Sequence, residues 1–163
     1  MAKPLPPFQS FLDEHRTPVL SFLRSMVGPD DADDCFQETF IAAMRSYHRL
    51  DGQHPRAWVM TIARNKAIDH HRARARRPEP RERLPEQPTH DRTAADRNPG
   101  LWTAVGELPP KQRAAVALRF VADLSYADLA RALECSEEAA RRSVHEGLKR
   151  LRADERAIAR EAA

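Results

Sequence analysis

The stretch AWVMTIARNKAIDHHRARARR, Ala57 to Arg77, starts like a core helix and ends as a row of arginines. Trp58, Val59, Ile62, Ala63, Lys66 and Ala67 recur at the spacing of one helical face. From Arg56 to Arg77 there are seven Arg or Lys against one acid, Asp69. A solvated helix usually mixes both signs, so this imbalance suits a polyanionic partner; the plain alternative is a basic surface with no ligand.

Working outward, the chain has 163 residues, enough for one ordinary domain or two small ones. Its formal net charge of +3 hides strong segregation. Every charge from Ser25 to Met44 is negative, whereas Arg72 to Arg83 holds six arginines. Such alternation implies two partners of opposite charge. Cys35 and Cys135, the only cysteines, fall in different modules, so neither a disulfide framework nor a zinc cluster can be built from them. Each reads as a small buried residue of a reducing compartment. No apolar run exceeds five residues, the length of Ala114 to Leu118, and the N-terminus lacks the apolar core of a signal peptide. These features predict a cytoplasmic protein with no membrane insertion.

Prolines divide the chain. Residues 78–99 hold five of them, with Leu84, Ala94 and Ala95 as the only apolar side chains, and read as a flexible linker. The expected organisation is therefore a helical module at 1–77, a linker at 78–99 and a second helical module at 100–163. In the first module, Phe8 to Met26 marks an amphipathic helix that Pro18 should kink or restart. Gly28-Pro29-Asp30 is a stop-and-cap signal. Ala32, Cys35, Phe36, Phe40, Ala43, Met44 and Tyr47 mark the buried face of a second helix, and the opening stretch completes a three-helix core. No period-two β-branched run appears anywhere, so the fold class is all-α. In the second module, helices are expected near Leu101–Glu107 and Lys111–Val121. Ser125 to Asp128 has the form of a capping box, with Asp at its last position. It opens a helix with Leu129, Ala130 and Leu133. After the break at Cys135-Ser136 comes a final helix with Ala140, Val144, Leu148 and Leu151 inside. Two helices on so tight a turn, the second basic, form a helix-turn-helix pattern.

On that last helix Ser136 is a good N-cap, and Glu137 and Glu138 suit the positive end of the helix dipole. Arg141, Arg142, Ser143 and His145 lie off the apolar stripe, where they can reach base edges and phosphates; the plain alternative is a surface helix with Arg chosen for propensity. The acids Asp30, Asp31, Asp33, Asp34 and Glu38 fit a protein-docking face, simple capping and solubility, or a metal, but no His or Cys completes a ligand set. No Gly-rich phosphate loop exists, which argues against a nucleotide-driven machine. No metal and no cofactor is expected, and no enzyme activity.

Asp-Ala-Asp-Asp-Cys-Phe-Gln-Glu-Thr-Phe (31–40) and Ala-Trp-Val-Met-Thr-Ile-Ala-Arg-Asn-Lys-Ala-Ile-Asp (57–69) resemble the second conserved domain of bacterial RNA polymerase sigma factors. Leu-Pro-Pro-Lys-Gln-Arg (108–113), Leu-Ser-Tyr-Ala-Asp-Leu-Ala (124–130) and the final helix resemble the fourth. Over residues 8–152 the chain is similar to the extracytoplasmic-function (ECF) class. That resemblance implies a promoter-specificity subunit that recognises −35 and −10 elements and helps open the DNA. It also implies its partners: core polymerase, through the beta-prime clamp and the beta flap, promoter DNA and, in many family members, an anti-sigma factor. Asp33, Asp34, Gln37 and Glu38 would dock on the clamp. Gln53, His54, Arg56, Trp58, Arg64, Asn65, Lys66, Asp69, His70 and Arg72 would serve the −10 element, with the loop Arg49–His54 pocketing a flipped base. Arg119, Ser136, Glu138, Arg141, Arg142, Ser143, His145 and Lys149 would serve the −35 element. This sequence departs from the family pattern at Glu134, where a Gly is usual, at Arg142-Ser143, where Ser then Arg is commoner, and at Glu146, which replaces a basic residue. The rival readings are a stand-alone helix-turn-helix regulator and, among enzymes, a metal-dependent nuclease.

Two magnitudes imply dependence on a polymerase. Opening duplex DNA costs roughly 1.4 kcal/mol per stacked step, and the chain carries no energy-using site. A flexible linker of about 22 residues has an r.m.s. span of about 25 Å. Promoter elements about 17 base pairs apart lie roughly 58 Å from each other. A slack linker cannot set that spacing by itself.

Overall fold

The computed structural model describes residues 4–77 and 99–161; the expected linker lies outside these, apart from Pro99. The described residues form α-helices and one 3₁₀ turn, with no strand. In chain order they are α1 (Phe8–Val27), α2 (Pro29–Ser46), the 3₁₀ turn (Tyr47–Arg49), α3 (Pro55–Ala75), α4 (Pro99–Glu107), α5 (Pro110–Phe120), α6 (Tyr126–Leu133) and α7 (Glu137–Glu161).

Pro18 sits inside α1, which runs through it as one helix rather than restarting. Phe11, Val19, Phe22 and Leu23 on both sides of Pro18 are buried on one face. Burying each such side chain is worth about 1.5–3 kcal/mol, which outweighs the roughly 3 kcal/mol cost of an interior proline. Gly28 adopts φ +87° and donates its N–H to the Arg24 carbonyl, ending α1, while Pro29 opens α2 at once. That positive φ is the reason for glycine between two helices that share no linker.

α1, α2 and α3 pack pairwise into a three-helix core. Ala32, Cys35, Phe40 and Ala43 of α2 meet Ala57, Val59, Met60, Ala63 and Ala67 of α3 as its buried faces. Small residues predominate on α3, which lets the helices approach closely. Met44, expected on the buried face of α2, is 56% exposed instead. Phe8, Phe11, Tyr47 and Trp58 form an aromatic cluster with ring centroids 5.1–6.5 Å apart, and the Tyr47 hydroxyl donates to the Pro6 carbonyl.

In the second module α5 packs on α7 and α6 bridges both. Ser125 caps α6 by accepting the Asp128 N–H, and Ser136 caps α7 by accepting the Ala139 N–H. Between them Glu134 takes the left-handed conformation, φ 54° and ψ 44°, where its N–H and that of Cys135 close α6. Gly147 of α7 faces α5 so closely that a Cβ there would lie 2.7 Å from Val116 Cγ2.

The two modules are not separate bodies. Buried residues of α1 and α3 are continuous with those of α5, α6 and α7 in one apolar cluster, in which α3 meets α6 and α1 meets α5.

Two substitutions should move stability in opposite directions. Glu134→Gly removes a left-handed strain of about 1–2 kcal/mol against a smaller entropic loss, and should stabilise by about 1 kcal/mol. Gly147→Ala improves helix propensity by about 1 kcal/mol but overpacks Val116 at a cost of about 1–3 kcal/mol, and should destabilise on balance. Urea titrations followed by circular dichroism check both signs.

Candidate nucleic-acid interface

The first module presents two charged helices back to back. On α2, Asp33, Asp34, Gln37 and Glu38 are all exposed, as expected for a docking face. The same side continues into Ile41, 46% exposed, and Met44. Asp31, at the start of the helix, turns the other way: its Oδ2 lies 2.8 Å from Arg74 Nη1 and 3.1 Å from His70 Nε2. Cys35 sits beneath the acids, and burial, then Glu38, Asp31 and Asp34, push its thiol up to about 11. It is a packed side chain, not a nucleophile.

The −10 candidates divide by the direction they face on α3. Asn65, Asp69 and Arg72, at helical spacing, form an exposed stripe. Lys66 is half-buried towards the α2 side, close enough to Cys35 to oppose the rise of its thiol. His70 points at Asp31. Its neighbour His71 donates to the Met26 carbonyl at 2.8 Å, and burial lowers its pKa below the ordinary histidine value. The His70-His71 pair therefore ties α3 to the α1–α2 corner. Trp58 packs edge-on against Phe11 at 5.8 Å, with one side in a surface pocket.

That pocket, about 330 Å³, is lined by Arg49, Leu50, Asp51, His54, Ala57, Trp58, Thr61 and Arg131. The loop expected to pocket a base thus forms most of one wall. Asp51 Oδ1 accepts the Gln53 N–H at 2.9 Å, which turns the loop at Gly52, φ +78°. Gln53 itself is exposed and does not line the pocket. Thr61 and Arg131 do, and sequence reading missed both. Thr61 had a signal, one turn from Trp58 on the same helix; Arg131 had none, because it arrives from the other module.

His54, Arg56 and Arg64 face that module too. Arg56 donates to the Ala122 carbonyl at 3.2 Å and Arg64 to the Ala132 carbonyl at 2.7 Å. His54 Nδ1 lies 3.2 Å from Asp128 Oδ1, and Arg64 Nη2 lies 3.9 Å from Glu134.

On α7 the −35 candidates form one solvent face: Ser136, Glu138, Arg141, Arg142, His145 and Lys149 are exposed, and Ser143 is half-buried. Arg141 is held in place by Glu137 at 2.8 Å and by the Tyr126 ring, 4.2 Å from its guanidinium carbon. Arg119 stands over the same ring at 4.9 Å and donates to the Leu124 carbonyl, so it braces the loop before α6. Glu146 is 3.4 Å from Gln112 on α5. Among the described residues no group of three or more His, Cys, Asp or Glu could hold a metal ion. Nor is any of their helices long and apolar enough to cross a membrane.

An acid helix, a basic helix and a braced helix-turn-helix, in that order, match a known pair of protein families. Residues 11–77 match sigma-70 region 2, and residues 100–151 match sigma-70 region 4. The ECF RNA polymerase sigma factor SigF of Caulobacter vibrioides is 36% identical over 137 residues, covering 80% of this chain and 74% of that protein. The chain belongs to the ECF sigma factors. The ECF RNA polymerase sigma factor SigX of Bacillus subtilis is 29% identical over 161 residues, covering 89% of this chain and 81% of that one. Among solved structures, the sigma factor RpoE of Bartonella quintana, in complex with the anti-sigma factor NepR, superposes with a TM-score of 0.76 at 23% identity, over 91% of this chain and 96% of that chain. CnrH, in complex with the cytosolic domain of CnrY, gives 0.71 at 25% identity, over 92% and 88%. The all-α, two-module reading holds, and this sigma factor is a transcription initiation factor of RNA polymerase rather than a stand-alone regulator.

Proposed function

We propose that this sigma factor divides its work among three surfaces: α2 docks on core polymerase, α3 with the Arg49–His54 loop takes the −10 element, and α7 reads the −35 element. The observation that carries the reading is the opposition of charge within one small module, since a helix of exposed acids and a helix ending in arginines suit different partners. On α2 the exposed Ile41 and Met44 beside the acids favour a protein partner, because apolar side chains within a charged rim are how protein interfaces are built. On α3 the exposed Asn65, Asp69 and Arg72 stripe runs beside a pocket with an aromatic wall, Trp58, and polar edges at Asp51 and His54. Stacking and edge hydrogen bonds are what an extruded base requires. On α7 the Tyr126 and Glu137 contacts hold Arg141 ready, which reduces the ordering cost of a bidentate base contact.

The chain is a cytoplasmic specificity subunit and not itself a catalyst. The duplex opening it assists draws on captured bases and polymerase contacts. A protein inhibitor of the anti-sigma kind is its expected third partner, by likeness to the Bartonella complex.

Reversing Asp34 and Glu38 to Lys should weaken core-polymerase binding by tenfold or more. Stability should stay within about 0.5 kcal/mol, because exposed helix charges contribute little to folding. Unchanged core affinity would remove α2 as the docking face. Arg141→Ala and Arg142→Ala should each lower −35-dependent transcription. A base-reading Arg costs about 1–3 kcal/mol and relaxes preference at one position, whereas a phosphate-binding Arg weakens all sequences alike and flattens the salt dependence. If neither substitution alters −35 use, α7 is not the reading surface.

A further inference from the structure

One aromatic ring ties the first turns of α6 and α7 to the end of α5. Ser125 caps α6 and makes Tyr126 its first residue, and Ser136 caps α7 ahead of Arg141. Tyr126 is half-buried against the apolar cluster, which gives its ring a fixed place. Two guanidiniums from different helices stand over that ring, Arg141 at 4.2 Å and Arg119 at 4.9 Å. Like charges on one ring oppose each other, and each is held by its own acceptor. Arg119 donates to the Leu124 carbonyl at 3.0 Å, and Arg141 donates to Glu137 Oε1 at 2.8 Å. The Glu137 pair alone is a slack restraint: the Arg141 side chain is 57% exposed and that of Glu137 49%, and exposed pairs at this spacing gain little. The negative face of the Tyr126 ring adds a second restraint from another helix. Among the described residues Arg142, exposed at the next position, has neither a ring nor a carboxylate against it.

Two neighbouring arginines are thus prepared differently. A base edge demands a guanidinium in one plane and direction, because two acceptors must be met together. A phosphate offers oxygens over a wide range of directions and carries no sequence information, so a mobile side chain serves it well. A side chain already held in place loses less freedom on binding. We propose that Tyr126 is a positioning residue for −35 recognition: its ring fixes the Arg141 guanidinium in the pose that reads one base pair, while Arg142, without a ring, holds the phosphate backbone. This rests on the assignment of α7 to the −35 element. Tyr126 acts through Arg141, so it sharpens preference at the position Arg141 reads and at no other. A cation over a ring at an exposed site shifts an equilibrium by about two- to fivefold, which sets the size of the effect.

The test uses the full chain with core polymerase on a promoter library randomised over the −35 element, and reads base preference position by position. Arg141→Ala should remove the preference at one position, and Arg142→Ala should lower output from all sequences alike. Tyr126→Leu keeps apolar bulk and removes the π face, and should lower the preference at the Arg141 position by about two- to fivefold. Tyr126→Phe keeps the face and should retain the preference. In the Arg141→Ala background, Tyr126→Leu should change that position no further. A Tyr126→Leu chain that keeps the preference Arg141→Ala removes, or that weakens every position alike, overturns the positioning role. Loss of the preference in Tyr126→Phe places the effect on the hydroxyl and overturns it as well. A single-position change in Arg142→Ala overturns the division between the two arginines. If Arg141→Ala leaves every −35 preference intact, the assignment of Arg141 as a reader falls instead, whatever Tyr126 does. Proton NMR of the wild-type chain needs no variant to fold: ring current should shift the Arg141 δ-methylene upfield and leave that of Arg142 unshifted, and an unshifted Arg141 overturns the stack.

Discussion

Everything in this molecule is referred to α3. One side of it, Ala57, Val59, Met60, Ala63 and Ala67, is buried, with α1 and α2 packed against it. The basic side chains leave that apolar face in different directions: Arg72 is exposed, Arg56 and Arg64 turn to the second module, and Arg74 turns to Asp31. Burial of the apolar face thus positions the arginines, and a substitution that loosened the α2–α3 packing would displace them together. At its C-terminal end, Arg74 and His70 are drawn back to Asp31. The acid helix and the basic helix therefore brace each other even though their exposed faces suit different partners.

Most of the fold was legible in the sequence because its signals are local. Gly28-Pro29, Ser125 and Ser136 mark helix ends by backbone and capping chemistry, and each acts where it stands. Glu134 was legible as an anomaly, a side chain where the turn favours glycine, and it does adopt a left-handed angle. Pro18 does not restart the helix. Propensity argues for a break, but the apolar face on both sides of it binds the helix into one piece.

The candidate site was less legible, because periodicity says which residues share a face and not what the face meets. His70 and Trp58 have residue types suited to nucleic acid, yet one contacts Asp31 and the other stands at the rim of an aromatic cluster. Arg119, which the resemblance implies for the −35 element, also holds the Leu124 carbonyl, a contact its spacing does not announce. Arg131 could not be foreseen at all, since it reaches the pocket only through contact between modules separated by more than twenty residues of proline-rich chain. Interactions that depend on tertiary contact across such a segment leave no mark in spacing.

The central claim is that this chain gives promoter specificity to a polymerase rather than binding DNA on its own account. Run-off transcription with sigma-free core polymerase, with and without the chain, on a library of genomic fragments tests it most directly. The account predicts discrete start sites that appear only when both are present, each preceded by a shared pair of elements about 17 base pairs apart, a spacing of roughly 58 Å. Start sites unchanged by the chain, or sequence-specific binding to duplex DNA by the chain without polymerase, would contradict it.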